Sequence, residues 1–528
     1  MTQVENASRS QTMKRAAFAY TLLTSGFWHL LIFATYPPGS GPDGHLYALT
    51  AGQLFQWPPL DIYQLMDRNG YFPFLIRIFW DMSAGLSMLV FLMHLLLLLW
   101  AVWTVALLNK YFSAWHGWTM AIALSLFPHL AVIAQVTNSE LAVAVTLWPA
   151  CITAMAFILK HKETKEWSFP LLAGACLFFG LTITARPSGL ALFAVFVCCW
   201  LFRKVPLQML AKAGALFLLA FLWVPTYNYC TLGYFGLEKK TGRVFFQTAY
   251  LSKHFSPENG PNSQKIADLL IAKWPELLQT NEVIKRNNED IQVLLANNDM
   301  PWHLYYLVVS LLRQNYPPSE VNELLLQAGI EWLKREPEIF FRDRLQKAYT
   351  QLRYGVTNQL DFTPSSQLKT QEDAAYASSP ENRYRGASVL TKEMNMLQTE
   401  KQYQQHLRLF DEVVERYTSG LRNDSLLTIY ATLYKHIPTF QWIHIFGLLV
   451  IASIVLLLKA AYTQDWALAT IVLGVSSYTY GNLVFIMLVS SGSGLHFLPS
   501  LPLALLVISI VIGTVLSKLF DYIELKRL

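Results

Sequence analysis

The amino-acid sequence predicts an all-α polytopic membrane protein of about ten transmembrane helices, with a mainly helical extracytoplasmic insert. Three observations predict it. A mean hydropathy of +0.31 with only 14% charged residues is too apolar for an ordinary water-soluble chain of this length. The apolar residues gather in stretches long enough to cross a bilayer as helices, separated by short polar links. One polar block, about 231–437, interrupts them, leaving an N-terminal module (1–230) and a C-terminal one (438–528).

The spans fall at about 16–36, 82–109, 118–136, 140–159, 168–184, 188–202, 209–229, 440–459, 466–489 and 496–516. The first reads as a retained helix, because no small-residue cleavage site precedes Tyr36-Pro37-Pro38. Orientation follows from the basic residues, which favour cytoplasmic links. Lys14 and Arg15, Lys110, Lys160 and Lys162, Arg203-Lys204, and the tail Lys518, Lys526 and Arg527 all fall on one side. That side is expected to be cytoplasmic and to hold both termini, in a membrane of the bacterial inner (plasma) type. The links on the other side, 37–81, 136–139, 184–187, 490–494 and the insert, face the extracytoplasmic space.

Two classes are excluded early. The net charge of +6 follows the positive-inside bias, and no basic run with interleaved aromatics points to nucleic acid. Cys151, Cys176, Cys198 and Cys199 lie in spans and Cys230 ends one, so no disulfide framework or metal-ligand spacing is read.

The polar residues of interest are on the extracytoplasmic side. Asp43 follows the first span, and Leu46, Leu49, Leu54 and Trp57 recur after it at helical spacing, so a short helix is expected with Asp43 at its N-terminus. A carboxylate there either caps the helix or does chemistry. Asp61 and Asp67 read as solvated turn residues. The aromatic run 71–80 reads as an interfacial belt leading into the second span, with Arg77 in it either snorkelling to lipid phosphates or binding the phosphate of a lipid substrate.

Glu140 opens the fourth span behind Asn138 and Ser139, in the place of a first-turn acid. Together with Asp43 it could hold Mg²⁺ or Mn²⁺, or the two could divide the work, with Asp43 as general base. Arg186 is either a solvated turn residue opening the sixth span or a bidentate phosphate ligand. His496 enters the last span as a lone histidine. Within the spans His29, His94 and His129 are the main titratable groups, and His94 reads as an interhelical hydrogen-bonder. So little charge at mid-membrane argues against a proton- or ion-coupled transporter.

The order and side of these pieces resemble the GT-C superfamily of integral membrane glycosyltransferases, the group that includes the protein O-mannosyltransferases and the aminoarabinose transferases. The resemblance is carried by Asp43-Gly44-His45-Leu46-Tyr47-Ala48, by 71–77, by Asn138-Ser139-Glu140-Leu141, by 181–189, and by Asn228-Tyr229 with 233–236. It implies that Asp43 is catalytic and that Glu140 helps to bind metal and lipid phosphate. Arg186, Arg77 and His496 would contact the phosphate, and His45 and Tyr47 the substrate. Where many relatives carry two adjacent acids in the first loop, Asp43 is followed by Gly44 and His45.

The implied reaction transfers a sugar from a polyprenyl-phosphate donor to a glycan, lipid or protein acceptor at the extracytoplasmic face, among membrane lipids. The other class in play is a transporter or flippase of lipid-linked or amphipathic molecules. In the insert, helices are expected over about 262–315 and 393–420. An amphipathic interfacial helix should begin near Pro337 with Phe340, Phe341, Leu345, Ala348 and Tyr349 on one face, and 355–395 should form a loop over the site.

Overall fold

The computed structural model describes residues 3–35, 41–56, 65, 70–80, 82, 85–135, 139–186, 189–237, 241–251, 254–280, 290–296, 302–353, 405, 408–409, 412, 423–434, 436, 440–489, 497 and 499–527. Among them there is no strand. In order, the N-terminal module contains α1 (Gln3–Thr35), α2 (Gly41–Gln53), α3 (Tyr71–Trp80), α4 (Gly85–Tyr111), α5 (Ala114–Leu126), α6 (His129–Gln135), α7 (Ser139–Thr164), α8 (Phe169–Ala185), α9 (Gly189–Phe202) and α10 (Leu207–Leu232). The insert contributes α11 (Thr241–Leu251), α12 (Pro261–Thr280), α13 (Ile291–Ala296), α14 (Trp302–Asn315), α15 (Pro318–Arg335), α16 (Pro337–Arg353) and α17 (Asp424–Tyr434). The chain closes with α18 (Trp442–Thr463), α19 (Trp466–Val489) and α20 (Leu501–Arg527).

Seven of these helices are long and apolar enough to cross a membrane, eight if a bent pair counts as one span, and the chain is an integral membrane protein. The expected span 118–136 is that pair, α5 and α6, meeting at 55°. Pro128 is the cause: it has no N–H to continue the ladder, and the Phe127 N–H turns back to the Leu124 carbonyl at 3.3 Å. The spans expected at 168–184 and 188–202 form helices of only 17 and 14 residues.

α7 is apolar all round and is buried along its whole membrane-length window, as such a helix must be. It packs against α4, α8 and α19 at the centre of the bundle. α1 lies against α4 and α5, α20 against α5, and α8 between α7 and α10. His94 on α4 joins three helices as expected: its Nδ1 is 2.8 Å from His29 Nδ1 on α1, and its Nε2 is 2.9 Å from Gln135 Oε1 on α6.

The insert has an apolar core of its own, in which Phe246, Tyr250, Trp274, Tyr305 and Leu312 are buried. Its helices α12 and α15 are locked together by Glu331. Both carboxylate oxygens accept hydrogen bonds at the start of α12: Oε1 from the Asn262 backbone and side chain at 2.8 and 2.7 Å, Oε2 from the Ser263 N–H and hydroxyl at 2.8 Å each. Burial pushes this carboxyl up, but the four hydrogen bonds outweigh it and hold the group below its ordinary value of 4.5. A depressed carboxylate stabilises the fold above the unfolded-state pKa and loses that contribution as pH falls through the folded one. Glu331→Gln should therefore cost on the order of 2 kcal/mol at neutral pH. In thermal unfolding of the full chain, the gap from wild type should narrow as the pH is taken from 7 to below 4.5. A gap independent of pH would contradict this role.

Two expectations for the insert change. On α16, Phe340 and Ala348 are buried beside Arg344, whereas Phe341, Leu345 and Tyr349 are exposed. Phe340 and Phe341 are neighbours and so sit about 100° apart around a helix, which splits the single face expected from the sequence. The expected loop 355–395 lies outside the described residues, as does most of 393–420.

Candidate functional site

α2 begins at Gly41, so Asp43 sits inside its first turn instead of capping it from outside, and His45 follows in the next turn. An acidic residue in a first turn faces the positive end of the helix dipole. Tyr47 on the same helix is buried, its ring 5.9 Å from Phe72 on α3 in an edge-on contact. α2 thereby rests on α3.

α3 is a correction to the interfacial belt. Tyr71, Phe72, Pro73, Ile76 and Trp80 are buried, so most of these aromatics are core residues of a separate helix, with only Ile78 strongly exposed. The start of α3 is wedged between α7 and α8: the Tyr71 hydroxyl donates to the Ala142 carbonyl at 2.8 Å. A Cβ on Gly70 would stand 2.7 Å from the Thr184 carbonyl oxygen. Backbone cannot yield there, so Gly70→Ala should lower thermal stability by about 1–3 kcal/mol and disturb the site with it. Wild-type melting and wild-type activity together would refute the tight approach. Arg77 lies in the last turn of α3, half-buried.

α7 and α8 bring the charges together. Glu140 is in the first turn of α7, 4% exposed. Arg186 ends α8 in an extended conformation, its N–H donating to the Thr182 carbonyl at 2.9 Å. The Arg186 guanidinium donates to Glu140 Oε1, and the Ser139 hydroxyl donates to Oε2 at 3.2 Å. Arg186 is thus not a solvated turn residue: it and Glu140 are partners in one largely buried ion pair. Their charges stay because each compensates the other away from water.

A hard divalent cation needs several oxygen ligands. Glu140 has one oxygen on Arg186 and the other on Ser139, and among the described residues no three His, Cys, Asp or Glu side chains cluster. The side chain of Asp43, the other carboxylate expected to hold Mg²⁺ or Mn²⁺, lies outside the described residues, and the described part of the site is the ion pair. What it offers is a guanidinium at the mouth of the bundle, held in place by a carboxylate, which suits an anionic oxygen such as that of a phosphate.

The structure therefore brings the helix of Asp43, His45 and Tyr47, through α3, to the end of α7 and α8 that holds Glu140 and Arg186. His496, Asp61 and Asp67 lie outside the described residues. The sequence offered Gly70 only as a turn residue and Tyr71 only as part of the 71–80 run, and it pointed to no strap from late in the insert. There Leu409 packs over Gly52 of α2, and Glu412 Oε1 accepts from the Trp80 indole at 2.9 Å.

No family model matches the chain, and no curated protein matches it. Two solved structures similar to it are those of ArnT from Cupriavidus metallidurans, in the apo state and bound to undecaprenyl phosphate. Each is 14% identical; the alignments cover 78% and 79% of this chain and 77% of the other, with TM-scores of 0.33 and 0.32.

Proposed function

We propose that this protein is a GT-C-type glycosyltransferase that moves a sugar from a polyprenyl-phosphate donor to an acceptor hydroxyl at the extracytoplasmic membrane edge. The observation that carries this reading is the Arg186–Glu140 pair at the mouth of α7 and α8, joined by α3 to the helix bearing Asp43. A lipid-linked donor accounts for a site at that depth. Its isoprenoid chain stays among the helices while the phosphate and sugar reach the polar edge.

In this mechanism Asp43 takes the proton of the acceptor hydroxyl as the oxygen attacks the anomeric carbon, opposite the phosphate. The glycosidic bond forms as the carbon–phosphate oxygen bond breaks, with inversion through an oxocarbenium-like transition state. Negative charge grows on the departing phosphate, and Arg186 stabilises it, kept oriented by Glu140. Arg77 is a second cation for the same phosphate, with His45 and Tyr47 on the substrate side. No step is routed through a metal.

The test uses the full chain in proteoliposomes with a lipid extract containing polyprenyl-phosphate sugars. Release of free polyprenyl phosphate matched by a glycosylated product supports the reading. Net movement of the lipid between leaflets with no covalent product would replace it with a flippase. The same assay after complete chelation should proceed at the wild-type rate. Loss of transfer restored by added Mn²⁺ would return Glu140 to a metal-binding role.

A further inference from the structure

The insert contains a cavity of about 390 Å³ that the transfer mechanism does not use. It lies between the turn Pro257–Asn259, the helices α12 and α13, and the end of α15. We propose that it is a saccharide-binding site for an uncharged or amino-substituted sugar. A volume of this size is that of a small-molecule site.

The chemistry of the walls selects the ligand class. Each carboxylate on them has a nitrogen partner. Arg335 Nη2 is 2.7 Å from Glu258 Oε2, and His254 Nδ1 is 3.5 Å from Glu336 Oε2. The lining holds two carboxylates, Glu258 and Glu336, against one guanidinium, Arg335, a balance that disfavours phosphate, sulfate and uronate ligands. These pairs are partly open to water and so are worth little by themselves. Hydroxyls can displace them at small cost and gain charge-assisted hydrogen bonds in return.

Planar polar groups are among the lining side chains. The Asn259 amide already donates to the His254 carbonyl at 2.7 Å, which fixes its orientation, and its oxygen is 3.5 Å from Arg335. The exposed Gln292 carboxamide makes no hydrogen bond among the described residues, leaving both its donor and its acceptor for a ligand. Ile271 and Leu295 supply an apolar wall. A pyranose has the matching character, with a C–H face and a rim of neighbouring hydroxyls that forked side chains can hold in pairs. The floor is stiff, since the His254 ring stacks on the fully buried Trp332 at 5.3 Å and 12°.

That the bound saccharide is the glycan part of the acceptor rests on the proposed transferase reading; the binding itself does not. The test applies the labelled full-length protein in detergent to a printed array of neutral, amino-substituted and uronic-acid oligosaccharides. Retention of neutral or amino-substituted members is expected, and Gln292→Ala and Glu336→Gln should each weaken it by about two- to tenfold, the worth of one net hydrogen bond. Gln292 is on the exposed surface of α13, so its variant keeps the test informative if Glu336→Gln disturbs the end of α15. No retention, retention confined to uronic acids, or affinity unchanged in both variants overturns the site. Asp43→Asn should retain the same saccharides as wild type. Retention by wild-type protein that transfers no sugar would sink the transferase reading alone, and wild-type transfer without retention would sink the cavity alone.

Discussion

Arg186→Ala is expected to reduce sugar transfer by about 10²–10³-fold, the usual cost of removing a donor aimed at developing negative charge. It should also destabilise the protein by about 3–5 kcal/mol, because the Glu140 carboxyl, 4% exposed, is left without its guanidinium partner. Glu140→Ala strands the opposite charge and should destabilise comparably. The double variant separates the two effects. Removing both charges should recover much of the stability lost in either single variant, while transfer stays at the level of Arg186→Ala. Arg186→Lys keeps the charge but not the fork, and should fall between them. Melting in detergent and initial rates on the same preparations check all four. Full activity in Arg186→Ala would remove the phosphate contact from the mechanism.

Asp43→Asn is expected to lower kcat by about 10²–10⁴-fold, the range for losing a general base. The fold should barely notice. An asparagine fits the first turn of α2, and the lost charge–dipole interaction is worth only about 0.3–1 kcal/mol. Donor binding should survive, because the proposed phosphate contacts come from α8 and α3. A variant with wild-type melting, wild-type donor affinity and almost no turnover would assign Asp43 to chemistry. One that loses stability and turnover together would make it a structural residue of α2.

The bundle was legible where runs of apolar residues are long, since a 27-residue stretch such as Gly85–Tyr111 admits few alternatives to a spanning helix. Hydropathy was less informative where local chemistry intervenes. The 118–136 run is apolar throughout, yet Pro128 bends it, and the aromatics of 71–80 have the composition of a membrane belt but pack inward as α3. Both members of the ion pair were nominated, but separately and with different roles. The clue that joins them is topological: Glu140 heads one span and Arg186 ends the next, so antiparallel neighbours set both at the same end. The strap of Leu409 and Glu412 on α2 and α3 could not have been read at all, because nothing in local periodicity reports a contact across more than 300 residues. On α16 the reverse error arose, with one hydrophobic face read where Phe340 turns to the core and Phe341 to the outside.

The central claim is covalent sugar transfer that depends on Asp43. Mass spectrometry of cell-envelope glycans, from otherwise identical cells expressing wild type, Asp43→Asn or no protein at equal growth, tests it most directly. One defined sugar mass should be present with wild type and missing alike from the Asp43→Asn and null cells, with membrane levels of the variant unchanged. Identical glycans in all three, or a variant indistinguishable from wild type, would contradict the account.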